Sequence, residues 1–381
     1  MKIVYIVPYF LPCTGGIISH VYNLSKKLIC DGHEVEVISS ASFPQNFPNI
    51  LKEKEQIINN VKVIYEKEYF SKIFRHIRKV EIPKDANVIH IHNFDRFLAT
   101  LAVLKARKYN KPIIITLHGS LLGPKFGSNF SDNLKRIYDN LITKKILNLC
   151  NKIIVLCDTE REDIRKRFKL KDDKIVLIPN WIHEYSFEKN IPKQKILNVL
   201  KITGGKYIVS LSRIDKNKRL DFIIEAIKDL PSDLHYVIAG PDNGYLYKLL
   251  KLSSDKKLKS RIHYIGPVYG EDKFSLLQYA FAFVLPSKFD FFPISVLEAM
   301  AQGIPILASN TGCLTEIIKH SFNGFLIETV SDIRKYLLLL YQNAKIRRSI
   351  GDNARSSALY FSFNNIYPKI LKLYEDFFVG T

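Results

Sequence analysis

The sequence predicts an α/β protein made of two doubly wound, parallel-sheet domains. Three observations carry that expectation. Short β-rich runs alternate with longer amphipathic segments along nearly the whole chain. The β-rich runs are almost continuously apolar, as strands are when helices cover both faces of a parallel sheet. The alternation pauses once near the middle of the 381 residues and then resumes, and a chain of this length holds about two domains at roughly 100–200 residues each.

The elements follow in order. KIVYIVP (2–8) is read as a buried first strand and not as a signal peptide: no small-residue cleavage site follows it, and it leads directly into a helical pattern. In GGIISHVYNLSKKLICDGH, Val21, Leu24, Leu28 and Ile29 recur at helical spacing and Gly32 can end the helix. HEVEVIS (33–39), NVIHIH (87–92), PIIITLH (112–118), KIIVLC (152–157) and KIVLIP (174–179) complete the first set of strands. The segment EYFSKIFRHIRKV (68–80) sets Phe70, Ile73, Phe74 and Ile77 on one helical stripe, with Lys72, Arg75, Arg78 and Lys79 elsewhere. That predicts an amphipathic helix, either packed on the surface or lying on an anionic membrane. Residues 181–206 are polar and contain Pro192 and the Gly204–Gly205 pair, which suits an interdomain linker. A second series follows: KYIVSLS (206–212), LHYVIAG (234–240), RIHYIG (261–266), AFAFVLP (280–286) and IPILAS (304–309). The final NNIYPKILKLYEDFFVGT is an aromatic-rich helix that needs a surface to cover. The expected division is 1–185, a linker over 186–205, a second domain over 206–362 and a last helix over 363–381. Ligands in such sheets sit outside the carboxyl ends of the strands, so a cleft between the two domains is the expected site.

Composition narrows the function classes. Apolar content of 47% and charged content of 25% are those of a globular protein. Lys+Arg number 57 against 37 Asp+Glu, a net charge of +20 that favours anionic partners. Nucleic acid is not among those expected: the basic residues are dispersed, and no RNP, KH or helix-turn-helix element is present. The five cysteines are scattered, with no CxxC or Cys/His cluster, which predicts a reducing compartment, no disulfide framework and no structural zinc. No uncharged apolar window of about 18 residues occurs, so no spanning helix is expected and the chain is read as cytoplasmic, soluble or peripheral.

Four stretches could carry chemistry. Gly15 and Gly16 follow the first strand and precede a helix, where they either admit a phosphate to free backbone N–H groups or simply make a tight turn; the pattern is neither GxGxxG nor a Walker loop. In SLSRIDKNKRLDF, Arg213 lies just past a strand and Lys218 opens the next helix, a pair able to clamp a diphosphate or to form a solvated face. In ITLHGS, His118 ends a strand, where it either donates to a substrate oxygen or binds a backbone carbonyl. His90 and His92 also end a strand, with no second ligand set at metal spacing, and are read at most as lining the cleft. In SKFDFFPISVLEAM, Pro293 suits the first turn of a helix, which sets Asp290 in the preceding loop and Glu298 inside the helix. These are two carboxylates for sugar or ribose hydroxyls, or an acidic helix start.

In their order and spacing, GGIISHVYNLSKKLICDGHEVEVIS, TLHGS, IPN (178–180), SRIDKNKRLDFIIEAI, IHYIGPVYGEDKFSLLQYAFAFVLPS and EAMAQGIPILASNTGCLTEII resemble the retaining, nucleotide-sugar-dependent glycosyltransferases of family 4. The resemblance covers nearly the whole chain. It implies the GT-B fold, two Rossmann-like domains facing a cleft with the C-terminal helix crossing back to the first. It also implies site roles. Gly15 and Gly16 match the loop beside the donor phosphates, and Arg213 and Lys218 the diphosphate-binding pair. Glu298 is similar to the ribose-binding acid of the E-x7-E element, with Asp290 in the position of its first Glu, facing the transferred sugar. Phe292, Pro293, Ile294 and Ser295 fall where donor-sugar and backbone contacts are made. His118 resembles the histidine near the reacting carbon, and Val268 lies on the base side. Asp290 and Pro293 stand where Glu and Gly are usual, as do Ser212, Trp181 and Arg219 in place of Gly.

The implied reaction moves a hexose-type sugar from a UDP- or GDP-hexose to a glycan or lipid-linked glycan acceptor, with retention. No cofactor is expected and no metal, since no Asp-x-Asp element occurs. An anionic membrane surface is a further expected partner. A GT-B 2-epimerase and an inactive nucleotide-sugar-binding scaffold are the rival readings.

Overall fold

A computed structural model of the chain describes residues 1–13, 15–41, 54–66, 68–70, 75–77, 80–94, 96–119, 121, 138–188 and 206–378. The chain divides into two compact units, Met1–Asn180 with Ile366–Thr381, and Trp181–Asn365. Most of the expected linker, from residue 189 to 205, lies outside the described residues.

The N-terminal unit is built on an eight-stranded sheet in the order β10-β9-β8-β7-β1-β2-β4-β3. Its strands are β1 (Lys2–Val7), β2 (Glu34–Ser40), β3 (Glu55–Ile58), β4 (Val61–Glu66), β7 (Val88–His92), β8 (Ile113–Thr116), β9 (Lys152–Val155) and β10 (Ile175–Leu177). Every pairing is parallel except β3 with β4. The helices α1 (Gly16–Cys30), α2 (Arg96–Lys108), α3 (Lys144–Leu149) and α4 (Asp158–Phe168) return the chain between strands. One face of β1, β7, β8 and β9 is apolar and covered: Val4, Ile6, Ile89, Ile91, Ile113, Ile115, Ile153 and Val155 join Ala99, Ala102, Val103, Leu147 and Ile164 in one core cluster.

The β3–β4 hairpin is an addition to the strands read from sequence. Its turn is Asn59–Asn60, with φ of 49° and 67°, and two successive positive φ values are what a two-residue hairpin requires. The segment 68–80 departs from expectation. It holds two short antiparallel strands, β5 (Glu68–Phe70) and β6 (Arg75–Ile77), and no helix among its described residues; 71–74 and 78–79 lie outside them. Its Tyr, Phe and Ile suit strands as well as a helical stripe, and pairing between the two halves decided the matter.

The C-terminal unit is a six-stranded, wholly parallel sheet in the order β13-β12-β11-β14-β15-β16. The strands are β11 (Lys206–Leu211), β12 (Leu234–Ala239), β13 (Ile262–Gly266), β14 (Ala282–Leu285), β15 (Ile306–Ser309) and β16 (Phe325–Ile327). Among the described residues the helices that follow are, in order, α5 (Leu220–Ile227), α6 (Leu246–Leu252), α7 (Lys256–Lys259), α8 (Gly270–Gln278), α9 (Ile294–Ala301), α10 (Leu314–Ile317), α11 (Val330–Gln342), α12 (Ala344–Ala358) and α13 (Phe363–Phe378).

From Ile366 onward α13 belongs to the N-terminal unit. Ile366, Tyr367, Ile370, Leu373 and Tyr374 form its buried stripe. The Tyr374 hydroxyl lies 3.1 Å from the Tyr5 hydroxyl of β1 and 2.6 Å from His90 Nδ1 of β7, and Tyr367 donates to Asp31 at 2.6 Å. The surface this aromatic helix needed is the β1–β7 face of the N-terminal sheet.

Candidate active site

In each sheet the strand order reverses at one place, and ligands of doubly wound folds bind at the carboxyl ends there. In the N-terminal sheet that place is between β1 and β7; in the C-terminal sheet it is between β11 and β14.

Beyond β1, Gly15 and Gly16 stand exposed at the start of α1. Gly15 is not needed for conformation or packing: its φ of 162° is extended backbone, and an added Cβ would meet only Ile18 Cδ1 at 3.9 Å. The glycine keeps the approach to a fifteen-residue helix N-terminus open. One turn on, His20 turns inward from α1 and is buried.

His118 lies two residues past β8 with a left-handed φ of 49°, followed by Gly119 at 71°. It is buried, and its Nε2 lies 3.0 Å from His92 Nδ1, not on a backbone carbonyl. The His20 ring meets the His118 and His92 rings edge-on, at centroid distances of 5.1 and 5.4 Å. Burial pushes the His118 imidazole down to about 3 and holds His92 well below its ordinary value, so both are neutral. One ring nitrogen from each of His20, His92 and His118 lies within 4.8 Å of the others, so His92 does have a ligand-spaced set around it, contrary to expectation. The three come from distant stretches that only the sheet brings together. His90 has a different task. Its two nitrogens are taken by Tyr374 and, at 2.8 Å, by Thr116 Oγ1, which makes it an anchor for α13 and not a lining residue.

The His118 turn is held from α4. Glu160 is buried, and its two carboxylate oxygens accept one N–H each, from Gly119 at 2.8 Å and Leu156 at 2.7 Å. Burial pushes this carboxyl up to about 7 against the lowering effect of both backbone bonds. Sequence reasoning passed over Glu160; its only signal was an acidic residue in the first turn of a helix.

In the C-terminal unit, Arg213 stands exposed two residues past β11, and its guanidinium makes no hydrogen bond or ion pair among the described residues. Lys218 closes a one-turn 3-10 helix, Lys216–Lys218, and does not open an α-helix. The cause is local: Asp215 caps the Asn217 N–H at 2.9 Å, and Arg219 turns left-handed at φ 48° before α5 begins. This left-handed φ sits where the family pattern has Gly.

Past β14, Asp290 pairs with Lys218 (Nζ to Oδ2, 2.6 Å), and the Ser287 hydroxyl donates to the same oxygen at 3.0 Å. The Lys288 N–H donates to the Asn217 carbonyl at 2.7 Å, so backbone and side chains together tie the β11 loop to the β14 loop. Gly312 lets a third loop close over them. Its φ is 54°, and a Cβ there would stand 2.9 Å from the Asp290 carbonyl oxygen.

Pro293 is the N-cap of α9, with ψ 111°, so the helix opens one residue later than expected, at Ile294. Phe292 is buried beneath this start, and Pro293, Ile294 and Ser295 are half-buried along it. Glu298 faces inward, buried, and pairs with Lys273 of α8, a partner that nothing in the sequence suggested. Burial raises the Glu298 carboxyl and Lys273 opposes the shift. Val268 is half-buried in the turn between β13 and α8. The fold thus joins Lys218 to Asp290 directly. It gives Glu298 a separate lysine and gathers His118 with His20 and His92 in the other unit.

Comparison with known proteins agrees with this architecture. Residues 14–184 match the model of Glycosyltransferase Family 4, and residues 192–357 match that of Glycosyl transferases group 1. The chain is 26% identical to the alpha-monoglucosyldiacylglycerol synthase of Acholeplasma laidlawii, over 96% of this chain and 95% of that protein. It is 27% identical, over 77% and 79%, to the N,N'-diacetylbacillosaminyl-diphospho-undecaprenol alpha-1,3-N-acetylgalactosaminyltransferase of Campylobacter jejuni. The fold is that of Anabaena HepE crystallised with UDP and glucose, with a TM-score of 0.79 at 15% identity, covering 99% of this chain and all of that one.

Proposed function

The chain belongs to glycosyltransferase family 4 and has the GT-B fold, and from that premise we propose that it moves a hexose-type sugar from a nucleoside-diphosphate sugar, a UDP- or GDP-hexose, to a glycan or lipid-linked glycan acceptor with retention of configuration. The observation that carries the reading is the Lys218–Asp290 pair past β11 and β14, with Arg213, unpaired among the described residues, past β11 as well, at the switch point of the C-terminal sheet. Departure of a nucleoside diphosphate builds negative charge on phosphate oxygens. Arg213 supplies a planar fork and Lys218 a point charge for it. Lys218 comes to the diphosphate from Asp290, whose carboxylate then turns to the hydroxyls of the sugar. Glu298, a carboxylate able to accept two hydrogen bonds, takes the ribose, and the turn at Val268 takes the base. Ile294 and Ser295 supply first-turn N–H groups on the donor side, with Phe292 and Pro293 shaping that wall.

His118 and Asp290 are assigned to the reacting sugar, and Gly15 and Gly16 to the phosphate-side approach. With two side-chain cations and helix N-termini opposite the leaving group, the reaction is read as needing no metal ion. A lipid-linked acceptor is favoured by the names of the relatives, one a synthase of alpha-monoglucosyldiacylglycerol and the other a transferase for a diphospho-undecaprenol sugar. The net charge of +20 suits approach to an anionic membrane face. No helix among the described residues is long and apolar enough to cross a membrane.

The test is donor-dependent turnover. A thermal-shift screen of nucleotide sugars should find one donor that stabilises the chain, by about 2.7 kcal/mol at 100 times its Kd. Product analysis should then show transfer to acceptor, with free nucleoside diphosphate released. Isomerised sugar in place of transfer would mark a 2-epimerase, and binding without turnover a scaffold. If Glu298→Ala and Arg213→Ala leave turnover unchanged, the assignment of these residues fails.

A further inference from the structure

His20 and His92 stand with His118 in a set of three, and the proposed transfer chemistry calls only for His118. They stand on α1, at the end of β7 and past the end of β8, three elements converging on the switch point of the N-terminal sheet. Their residue exposures are 6%, 0% and 8%, so nothing but protein and whatever enters the site surrounds them. Burying three imidazoles in mutual contact is costly unless their ring nitrogens are used. His92 Nε2 has no hydrogen-bond partner among the described residues.

We propose that His20, His92 and His118 form a binding site for a borderline-soft divalent transition metal, zinc above all, and that occupancy of this site silences the enzyme.

The geometry suits the ion. Zinc binds imidazole nitrogen at about 2.0–2.1 Å, which sets tetrahedral ligand atoms about 3.3–3.4 Å apart. One nitrogen from each ring already lies within 4.8 Å of the others, and two of the rings approach to 3.0 Å at His92 Nδ1 and His118 Nε2. The donor set also selects. It contains three imidazoles and no carboxylate, which favours zinc, copper or nickel over magnesium or calcium. The Tyr5 ring stands edge-on to His92 at 5.3 Å. Three protein ligands leave the fourth position to water.

The silencing follows from His118. It is the residue set against the donor sugar, and a metal on its ring nitrogen takes that nitrogen from the reaction. This consequence rests on the proposed function; the metal site itself does not.

Cobalt is the probe, because a tetrahedral cobalt site absorbs strongly in the visible and an octahedral one weakly. The full-length chain, stripped with chelator, is titrated with Co²⁺ and then Zn²⁺. The expected result is one equivalent of cobalt with an intense visible band, abolished by one equivalent of zinc. His92→Ala and His20→Asn should each weaken zinc at least tenfold in equilibrium dialysis, with circular dichroism confirming folded protein. A weak octahedral spectrum, or less than one equivalent in the wild-type chain, overturns the site without recourse to any variant. So does a sulfur-to-cobalt band in the near ultraviolet, which would set the metal on a thiol such as the exposed Cys30. In transfer assays one equivalent of zinc should lower the rate at least tenfold, with chelator restoring it. Metal bound at the histidines with the rate unchanged overturns the silencing. If no donor is turned over at all, the functional reading fails, and the cobalt spectrum still decides the site.

Discussion

Glu160→Gln separates the electrostatic role of this carboxylate from its shape. The side chain is 1% exposed, and each oxygen accepts one backbone N–H, from Gly119 and from Leu156. Its carboxyl is pushed up from 4.5 to about 7, chiefly by burial, with Asp163 on the same helix adding a small push in the same direction. A carboxyl whose native pKa lies above its unfolded one binds its proton more tightly when folded. Its stabilising contribution is therefore full below about 4.5 and is lost as pH rises through about 7, a swing of roughly 3 kcal/mol at about 1.4 kcal/mol per unit. Glutamine keeps the shape and one acceptor but aims an N–H₂ at the other backbone N–H, at a cost of ~1–3 kcal/mol. It has no proton to exchange. Urea unfolding of both proteins at pH 5 and pH 8 should thus show the wild type losing ~2–3 kcal/mol relative to the variant between the two. Activity should move the opposite way. At pH 8 the ionised Glu160 holds both N–H groups and fixes the His118–Gly119 turn, so the variant should lose ~10- to 100-fold in kcat, the scale of a misplaced catalytic group. Nucleotide affinity should change little, because Arg213, Lys218 and Glu298, the side chains proposed to hold the diphosphate and ribose, are in the other unit. Parallel stability profiles for the two proteins would refute the assigned burial of charge. Full kcat in the variant would refute its role in positioning His118.

Four further outcomes are expected. Tyr374→Phe strips the partner from buried His90 Nδ1 and from the Tyr5 hydroxyl, and should cost ~1–3 kcal/mol in thermal or urea unfolding. Gly312→Ala sets a Cβ 2.9 Å from the Asp290 carbonyl at a φ of 54°, and should cost ~1–3 kcal/mol while weakening the donor-induced thermal shift. Lys218→Ala, which removes the cation proposed to meet the leaving group, should lower kcat/KM by ~10²-fold or more in a steady-state transfer assay. Transfer should continue at full rate in excess EDTA; a requirement for added magnesium or manganese would contradict the metal-free reading.

Much of this was legible in the chain itself. Near-continuous apolar runs such as KIVYIV and AFVL declare buried parallel strands, because only a sheet covered on both faces accepts them. The Asn59–Asn60 turn carried a hairpin signal that was there to be read. The segment 68–80 was not legible, since the same Tyr, Phe and Ile serve a helix stripe or a pair of strands. Of the site, TLHGS, SRIDKNK and SKFDFFPISVLEAM could be named from order and spacing, and the backbone places each at a strand's carboxyl end or the loop beyond it. Their partners could not be named. Lys273 for Glu298, Glu160 for the His118 turn and Tyr374 for His90 lie 25, 41 and 284 residues away along the chain.

Sequence alone determined what is periodic or local: the alternation of strand and helix, the glycines before α1, the cations after β11 and the two acids around α9. Tertiary structure decided which of these groups meet. Pairing across a sheet depends on strand order and not on chain distance, and burial shifts a carboxyl or an imidazole only once its neighbours are in place. The gathering of His20, His92 and His118 is the plainest case. Each is an ordinary histidine in its own stretch, and only the order β8-β7-β1 makes them neighbours.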